Sequence, residues 1–192
     1  MTHEDKLADI LRDNDTVMNI LRIAREAHLP NWYVGAGVIR NAVWDSLHDK
    51  PGASPIRDID CIYYSIEDID EVPIKKYLAS QLSGVDWDIK NSRHVHEWYK
   101  VTKGIDRPQL TSTEDDIRQW PEIATCIGVR LLEDDTFHIY APYGLDDLMD
   151  MVWGPNLHDT YRPQELTMRY FNERTVSKKI RERWPMVQVL SE

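Results

Sequence analysis

Asp58 and Asp60 in Asp58-Ile59-Asp60-Cys61-Ile62-Tyr63, and Asp86 and Asp88 in Val85-Asp86-Trp87-Asp88-Ile89-Lys90, are acids spaced one residue apart within apolar runs. Side chains alternate faces along a β-strand. Each run read as a strand therefore sends Ile59, Cys61 and Tyr63, or Val85, Trp87 and Ile89, into a core and gathers its acids on the other face. Like charges held side by side repel unless a cation lies between them. A set of hard carboxylate oxygens suits magnesium or manganese better than zinc. Asp58 and Asp60 with Asp88 are the candidate metal ligands, and a chain that needs them is expected to handle nucleotide phosphates.

Upstream, Val34-Gly35-Ala36-Gly37 closes a short strand predicted over 31–34, and Val38, Ala42, Val43 and Leu47 give the next segment a stripe of helical period. In a strand, glycine turn, helix unit, the backbone around Gly35, Ala36 and Gly37 can approach phosphate oxygens closely, with the positive end of the helix behind it. Arg40 on this helix, Lys90 at the end of the second acidic strand and Arg93 just beyond it are candidates for holding a triphosphate; an ordinary surface ion pair accounts for each equally well. Nucleotidyl transfer needs an activated hydroxyl and a screened triphosphate, which two magnesium ions about 4 Å apart supply. Asp58 and Asp60 are assigned as bridging ligands, and Asp88 as the ligand on the nucleophile's side that helps orient the attacking hydroxyl.

Around these motifs the pattern predicts helices over the first thirty residues, capped at Asn14 or Asp15, and over 72–82. It predicts a helix through Trp98 and Tyr99 capped at Asn91 or Ser92, a short acidic helix from Thr113, strand-like runs over 123–132 and 136–141, a short helix over 145–152, and a helix over 163–183. The segment 48–55 is turn-rich. The expected organisation is one α/β (α+β) domain: N-terminal helices over 1–30, a core with a mixed sheet over 31–157 and a C-terminal helical extension over 158–192.

The net charge of −10 speaks against a general grip on nucleic acid. Basic residues nevertheless concentrate between Arg162 and Arg183, which reads either as a polyanion contact or, in the blander alternative, as a solvated helix face. No apolar run approaches membrane-spanning length, the N-terminus lacks a basic-then-apolar signal, and Cys61 and Cys126 sit in apolar runs, so a cytoplasmic location is expected. His94-Val95-His96 diverges on a helix and is not expected to hold zinc. The tryptophans are expected mostly in the core, with stacking on a base as the alternative.

Val34-Gly35-Ala36-Gly37-Val38-Ile39-Arg40-Asn41 followed by Arg57-Asp58-Ile59-Asp60 resembles the head of the polymerase-beta-type nucleotidyltransferase superfamily, particularly tRNA CCA-adding enzymes and poly(A) polymerases. The hairpin after Ile123 and the stretch Ala141-Pro142-Tyr143-Gly144-Leu145-Asp146-Asp147-Leu148 continue the likeness. A closer resemblance, from about Trp32 onward, is to small bacterial nucleotidyltransferase-like proteins of unassigned substrate. It rests on Arg40-Asn41-Ala42-Val43-Trp44-Asp45, Trp87-Asp88-Ile89-Lys90-Asn91, Trp120-Pro121-Glu122 and Trp184-Pro185. The resemblance implies a mixed sheet flanked by helices, a nucleoside triphosphate substrate, magnesium, and metal carboxylates at Asp58, Asp60 and Asp88. The acceptor it implies is a hydroxyl, with a small molecule or protein favoured over RNA by the acidic chain.

Several departures matter. The glycine turn is Gly-Ala-Gly in place of adjacent glycines, and His94 stands where the small family is expected to have arginine. Glu114-Asp115-Asp116-Ile117-Arg118 matches a nucleotide-selecting motif of CCA-adding enzymes only superficially, because it precedes the hairpin. The long helical region that holds tRNA is lacking. Alternatives are a non-catalytic module binding nucleotide or a partner protein, and the nucleotidyltransferase half of a toxin–antitoxin pair.

Overall fold

The helical N-terminus is set by its caps. In the computed structural model, which describes residues 1–50 and 54–190, Thr2 Oγ1 accepts from the Asp5 N–H at 3.1 Å. The Asp5 carboxylate accepts from the Thr2 N–H at 2.8 Å, and this reciprocal box starts α1 (His3–Arg12). Asn14 Oδ1 accepts from the Val17 N–H and starts α2 (Asp15–Glu26), whose predicted stripe of Val17, Ile20, Leu21 and Ala24 is buried. The turn-rich segment 48–55 falls partly outside the described residues.

The acidic strands follow as expected. β1 (Tyr33–Gly35) leads into α3 (Gly37–Leu47); β2 (Asp58–Tyr63) and β3 (Asp86–Asn91) are joined by α4 (Glu71–Gln81). β2 and β3 are parallel, which requires such a crossover, and their register sets Asp58 opposite Asp86 and Asp60 opposite Asp88. β1 runs antiparallel to β2 and to β4 (Gly128–Leu131), and β4 pairs with β5 (Phe137–Tyr140). The sheet is therefore mixed, in the order β3-β2-β1-β4-β5. Ile59, Cys61, Tyr63, Trp87 and Ile89 enter the main hydrophobic cluster, leaving the acids on the opposite face. Cys61 and Cys126 are buried free thiols.

Two expectations are corrected. The run 123–132 begins as a 3-10 turn, Ile123–Thr125: the Thr125 N–H and hydroxyl both donate to the Glu122 carbonyl, at 2.9 and 2.7 Å, a local alternative to the ladder. The helix expected over 163–183 is two, α8 (Gln164–Ser177) and α9 (Ile180–Arg183), broken at Lys179, which adopts a left-handed φ of 53°. Between these elements and β3 lie α5 (Val95–Lys103), α6 (Thr113–Ile117), α7 (Asp146–Met149) and β6 (Val152–Trp153).

The segment read as a C-terminal extension is woven into the core. Phe171, Ile180 and Trp184 join the same cluster as Trp44 and Trp153, and β7 (Gln188–Val189) pairs in parallel with β6. Among the described residues no helix is long and apolar enough to cross a membrane.

Candidate active site

A cleft of about 490 Å³ lies over the acidic face of β2 and β3. Its floor carries Asp58, Asp60 and Asp88; one end is formed by Ala36, Gly37 and Arg40 at the start of α3; and α8 contributes Tyr170, Arg174 and Lys178. Those three residues are spaced four apart, so one helix face presents all of them over about 12 Å. Trp98 and Tyr99 of α5 complete the lining.

The acids are under electrostatic load. Burial, reinforced by the charges of Asp58 and Asp88, raises the pKa of Asp60 above the usual carboxylate range. Lys90, two residues after Asp88 on the same face, forms an ion pair with it. Burial pulls the Lys90 ammonium down, but the Asp88 hydrogen bond and the nearby carboxylates outweigh it and hold its pKa up.

The lining is also cationic. Arg40 is 2 % exposed, and its guanidinium lies 5.0–5.4 Å from the ring centroids of Trp44, Trp153 and Trp184. Its Nη2 donates to Asn41 Oδ1 at 2.6 Å, whereas Nε and Nη1 are buried without a partner. Burial lowers its pKa to about 10. A surface ion pair is thus ruled out as the explanation of Arg40. Arg174 donates from Nε and Nη2 to the fully buried Glu122 carboxylate, at 2.5 and 3.1 Å. Lys178, whose pKa is lowered by burial and then by Arg174 and Arg40, stands near Asp58 and Asp60.

The other sequence candidates separate. Gly37 lines the cleft, and a Cβ there would meet nothing within 4 Å. Gly35 serves packing: its Cβ would lie 2.4 Å from the Ile127 carbonyl oxygen and 2.6 Å from the Trp120 ring. Arg93 is not among the residues lining the cleft and donates to the Ile66 carbonyl, while its neighbour His94 does line it. His94 Nε2 lies 3.3 Å from Asp68. Among the described residues no group of three or more His, Cys, Asp or Glu side chains is drawn together at metal-holding distances, Asp58, Asp60 and Asp88 included. Asp58, Asp60 and Asp88 share a cleft and a face, with Asp88 held by Lys90.

Ala36 has φ 49° and ψ −120°, a backbone region that glycine occupies without strain. Ala36→Gly is expected to stabilise the protein by about 1 kcal/mol, the relieved strain exceeding the added unfolded-state entropy. Urea unfolding checks this, and a lower midpoint would refute it.

Residues of the cleft that the sequence analysis did not single out as site residues include Tyr170, Arg174, Lys178, Trp98 and Asp116. The first three belong to the basic segment 162–183, in which Arg174 and Lys178 line the cleft while Arg169, Lys179 and Arg181 are exposed, and their i, i+4, i+8 spacing was the available signal. Asp116, from the superficially motif-like stretch Glu114–Arg118, is buried and accepts from Ser92 Oγ at 2.9 Å. Burial raises its pKa from 3.8 to about 6. The folded state therefore binds this proton more tightly than the unfolded chain. Its contribution should fall by about 3 kcal/mol as pH rises from about 4 to about 6, and stay level above. Thermal melts across that window should show the slope in wild type and its loss in Asp116→Asn.

The model of a family described as nucleotidyltransferase matches residues 22–189. An NMR structure described as revealing a CCA-adding enzyme head domain superposes with a TM-score of 0.79 and 27 % identity, covering 98 % of this chain and 96 % of that one. The Thermotoga maritima CCA-adding enzyme complexed with tRNA gives a TM-score of 0.56 at 13 % identity, covering 96 % of this chain and 42 % of that one. A CCA-adding enzyme in apo form I gives 0.57 at 13 % identity, with the same coverage. The last two show the fold alone, and this chain spans well under half their length. No curated protein matches the chain.

Proposed function

The chain belongs to the nucleotidyltransferase family, and from that premise we propose that it binds a nucleoside triphosphate with magnesium and transfers the nucleotidyl group to a hydroxyl acceptor. The observation that carries this reading is a cleft with acids on its floor and cations on its wall. Asp58, Asp60 and Asp88 line one cavity together with Arg40, Arg174 and Lys178, and Lys178 lies near enough to Asp58 and Asp60 to act on their charge. A triphosphate complexed to a divalent cation has the charge pattern to satisfy both sides.

The phosphates are assigned to the α3 end of the cleft. Ala36 starts the helix without a side-chain cap, so the first N–H groups of α3 are available, and the unpartnered Nε and Nη1 of Arg40 belong to the same end. Arg174, oriented by Glu122, and Lys178 supply positive charge from α8.

The donor set fits magnesium in its chemistry: three carboxylates on one face, one of them disfavoured as an anion where it stands. Asp58, Asp60 and Asp88 would hold the ion, with Lys90 released from Asp88. When bound, the metal supplies charge neutralisation at the triphosphate and a more acidic acceptor hydroxyl. The acceptor oxygen forms a bond to the α-phosphorus, the bond from that phosphorus to the α,β-bridging oxygen breaks, and pyrophosphate leaves with the electron pair. Asp88 orients the hydroxyl and takes its proton for delivery to solvent.

The test is to incubate the protein with α-labelled and γ-labelled triphosphates, magnesium and cell extract. Transfer of α-label to any acceptor, with pyrophosphate formed and no transfer of γ-label, is the expected result. Magnesium-dependent binding without transfer to any acceptor would overturn catalysis and leave a binding module.

A further inference from the structure

Next to the cleft lies a second cavity of about 230 Å³, which shares Trp98, Tyr99 and Tyr170 with it. Lys103 Nζ lies 5.7 Å from the Trp98 ring centroid and 5.2 Å from that of Tyr170. Arg169 and Arg162 also line this cavity. Among the described residues, Lys103 and Arg169 have no ion-pair partner.

Arg162 is 5 % exposed. Its Nη2 is used by Asp159 at 3.0 Å, by the Tyr99 hydroxyl and by the Gln119 carbonyl, while its Nη1 is buried with no partner. A buried guanidinium nitrogen without an acceptor is costly unless a ligand supplies one. Two unpaired cations and partly exposed aromatic rings beside it describe the complement of a planar, anionic molecule.

The position separates this molecule from the incoming triphosphate. Along α8, Tyr170 stands about 12 Å from Lys178, the residue whose charge is coupled to Arg40 of α3. Asp88 and Lys90 lie on β3, the sheet's edge strand, and Lys90 Nζ is 5.8 Å from the Trp98 ring centroid. A neutral base of the incoming nucleotide would leave Lys103, Arg169 and the Arg162 nitrogen unanswered.

We propose that the cavity between α5 and α8 is the acceptor subsite, built for a small hydroxyl-bearing molecule that combines a planar ring with a phosphate. The ring stacks at Trp98 and Tyr170, the phosphate meets Lys103, Arg169 and Arg162, and the hydroxyl is presented toward Asp88. This rests on the reading of the main cleft as the triphosphate site. The same chemistry occurs in a free nucleotide and in the terminal unit of an RNA. The net charge of −10 disfavours a long polyanion, so the free molecule is the assigned source.

The test uses adenosine 5′-monophosphate as probe on the full chain, with and without a saturating non-hydrolysable triphosphate and magnesium. Binding is read by calorimetry and by quenching of Trp98, the reporter being identified by its loss in Trp98→Phe. Wild type is expected to bind the monophosphate with the triphosphate analogue in place. The exposed double variant Lys103→Glu with Arg169→Glu should weaken that binding by about tenfold or more and leave analogue affinity within about twofold. Equal loss of analogue affinity would assign the cavity to the incoming nucleotide and overturn the proposal, as would monophosphate binding insensitive to the double variant or absent at millimolar concentration. Binding of a short oligoribonucleotide without binding of the monophosphate would overturn the free-molecule source. Failure of the analogue itself to bind, with the monophosphate effect intact, would instead overturn the reading of the main cleft.

Discussion

Asp60→Asn should reduce nucleotidyl transfer by about a thousandfold or more while leaving the melting temperature equal or higher, and Asp58→Asn should cause the same loss of transfer. The activity loss follows from removing one anionic donor of the proposed magnesium site, where each ligand acts only as part of the set. The stability effect follows from the opposite physics. The folded protein holds the Asp60 pKa above its unfolded value, by burial first and by Asp58 and Asp88 second. Ionising it therefore opposes folding, and the penalty grows as pH rises above the unfolded carboxylate value near about 4. The gain in Asp60→Asn should be largest at neutral pH and vanish below about pH 4. Label-transfer assays and melts at pH 3.5 and 7, values chosen to bracket about pH 4, check both halves. A fall in melting temperature at neutral pH together with preserved transfer would make these acids structural and sink the catalytic assignment.

How much of this was legible in the sequence depends on whether the signal was local. The acidic strands were readable because period-two alternation is a property of neighbouring residues: Ile59 and Cys61 go one way and Asp58 and Asp60 the other whatever else the chain does. The parallel pairing of β2 with β3 matches the helical run between them, and the mixed sheet agrees with the resemblance to nucleotidyltransferase heads. What escaped was long-range. Nothing near Arg174 indicates that Glu122 waits 52 residues upstream, and nothing near Arg40 indicates the ring of Trp44, Trp153 and Trp184 around it. A solvated face and an inward-facing cation have the same sequence pattern until the helix is docked. Gly35 and Gly37 illustrate the same limit at short range. Both looked like phosphate-contact residues, yet one is glycine because Trp120 and the Ile127 carbonyl crowd it, and only the other borders the cleft.

Glu122→Leu is expected to destabilise the protein by about 3–5 kcal/mol, roughly 6–20 °C in melting temperature for a chain of this size. The Glu122 side chain is fully buried, and its carboxylate receives both Arg174 donors. Its charge also steadies Arg40 against burial. Removing it leaves two largely buried guanidinium groups in one wall of the cleft with no counter-charge between them. Arg174→Met should be comparably harmful because it strands the carboxylate instead. The pair Glu122→Leu with Arg174→Met should lose much less than the sum, since two apolar side chains of similar volume can replace a buried ion pair at little net cost. Nucleotide affinity separates the two roles of this wall. The double variant should regain most of its melting temperature and still bind the magnesium triphosphate analogue about tenfold or more weakly, because Arg174 also faces the cleft. Single variants that melt within about 1 kcal/mol of wild type would show that the wall tolerates an unpaired charge. A double variant with unchanged affinity would confine Arg174 to holding α8 in place.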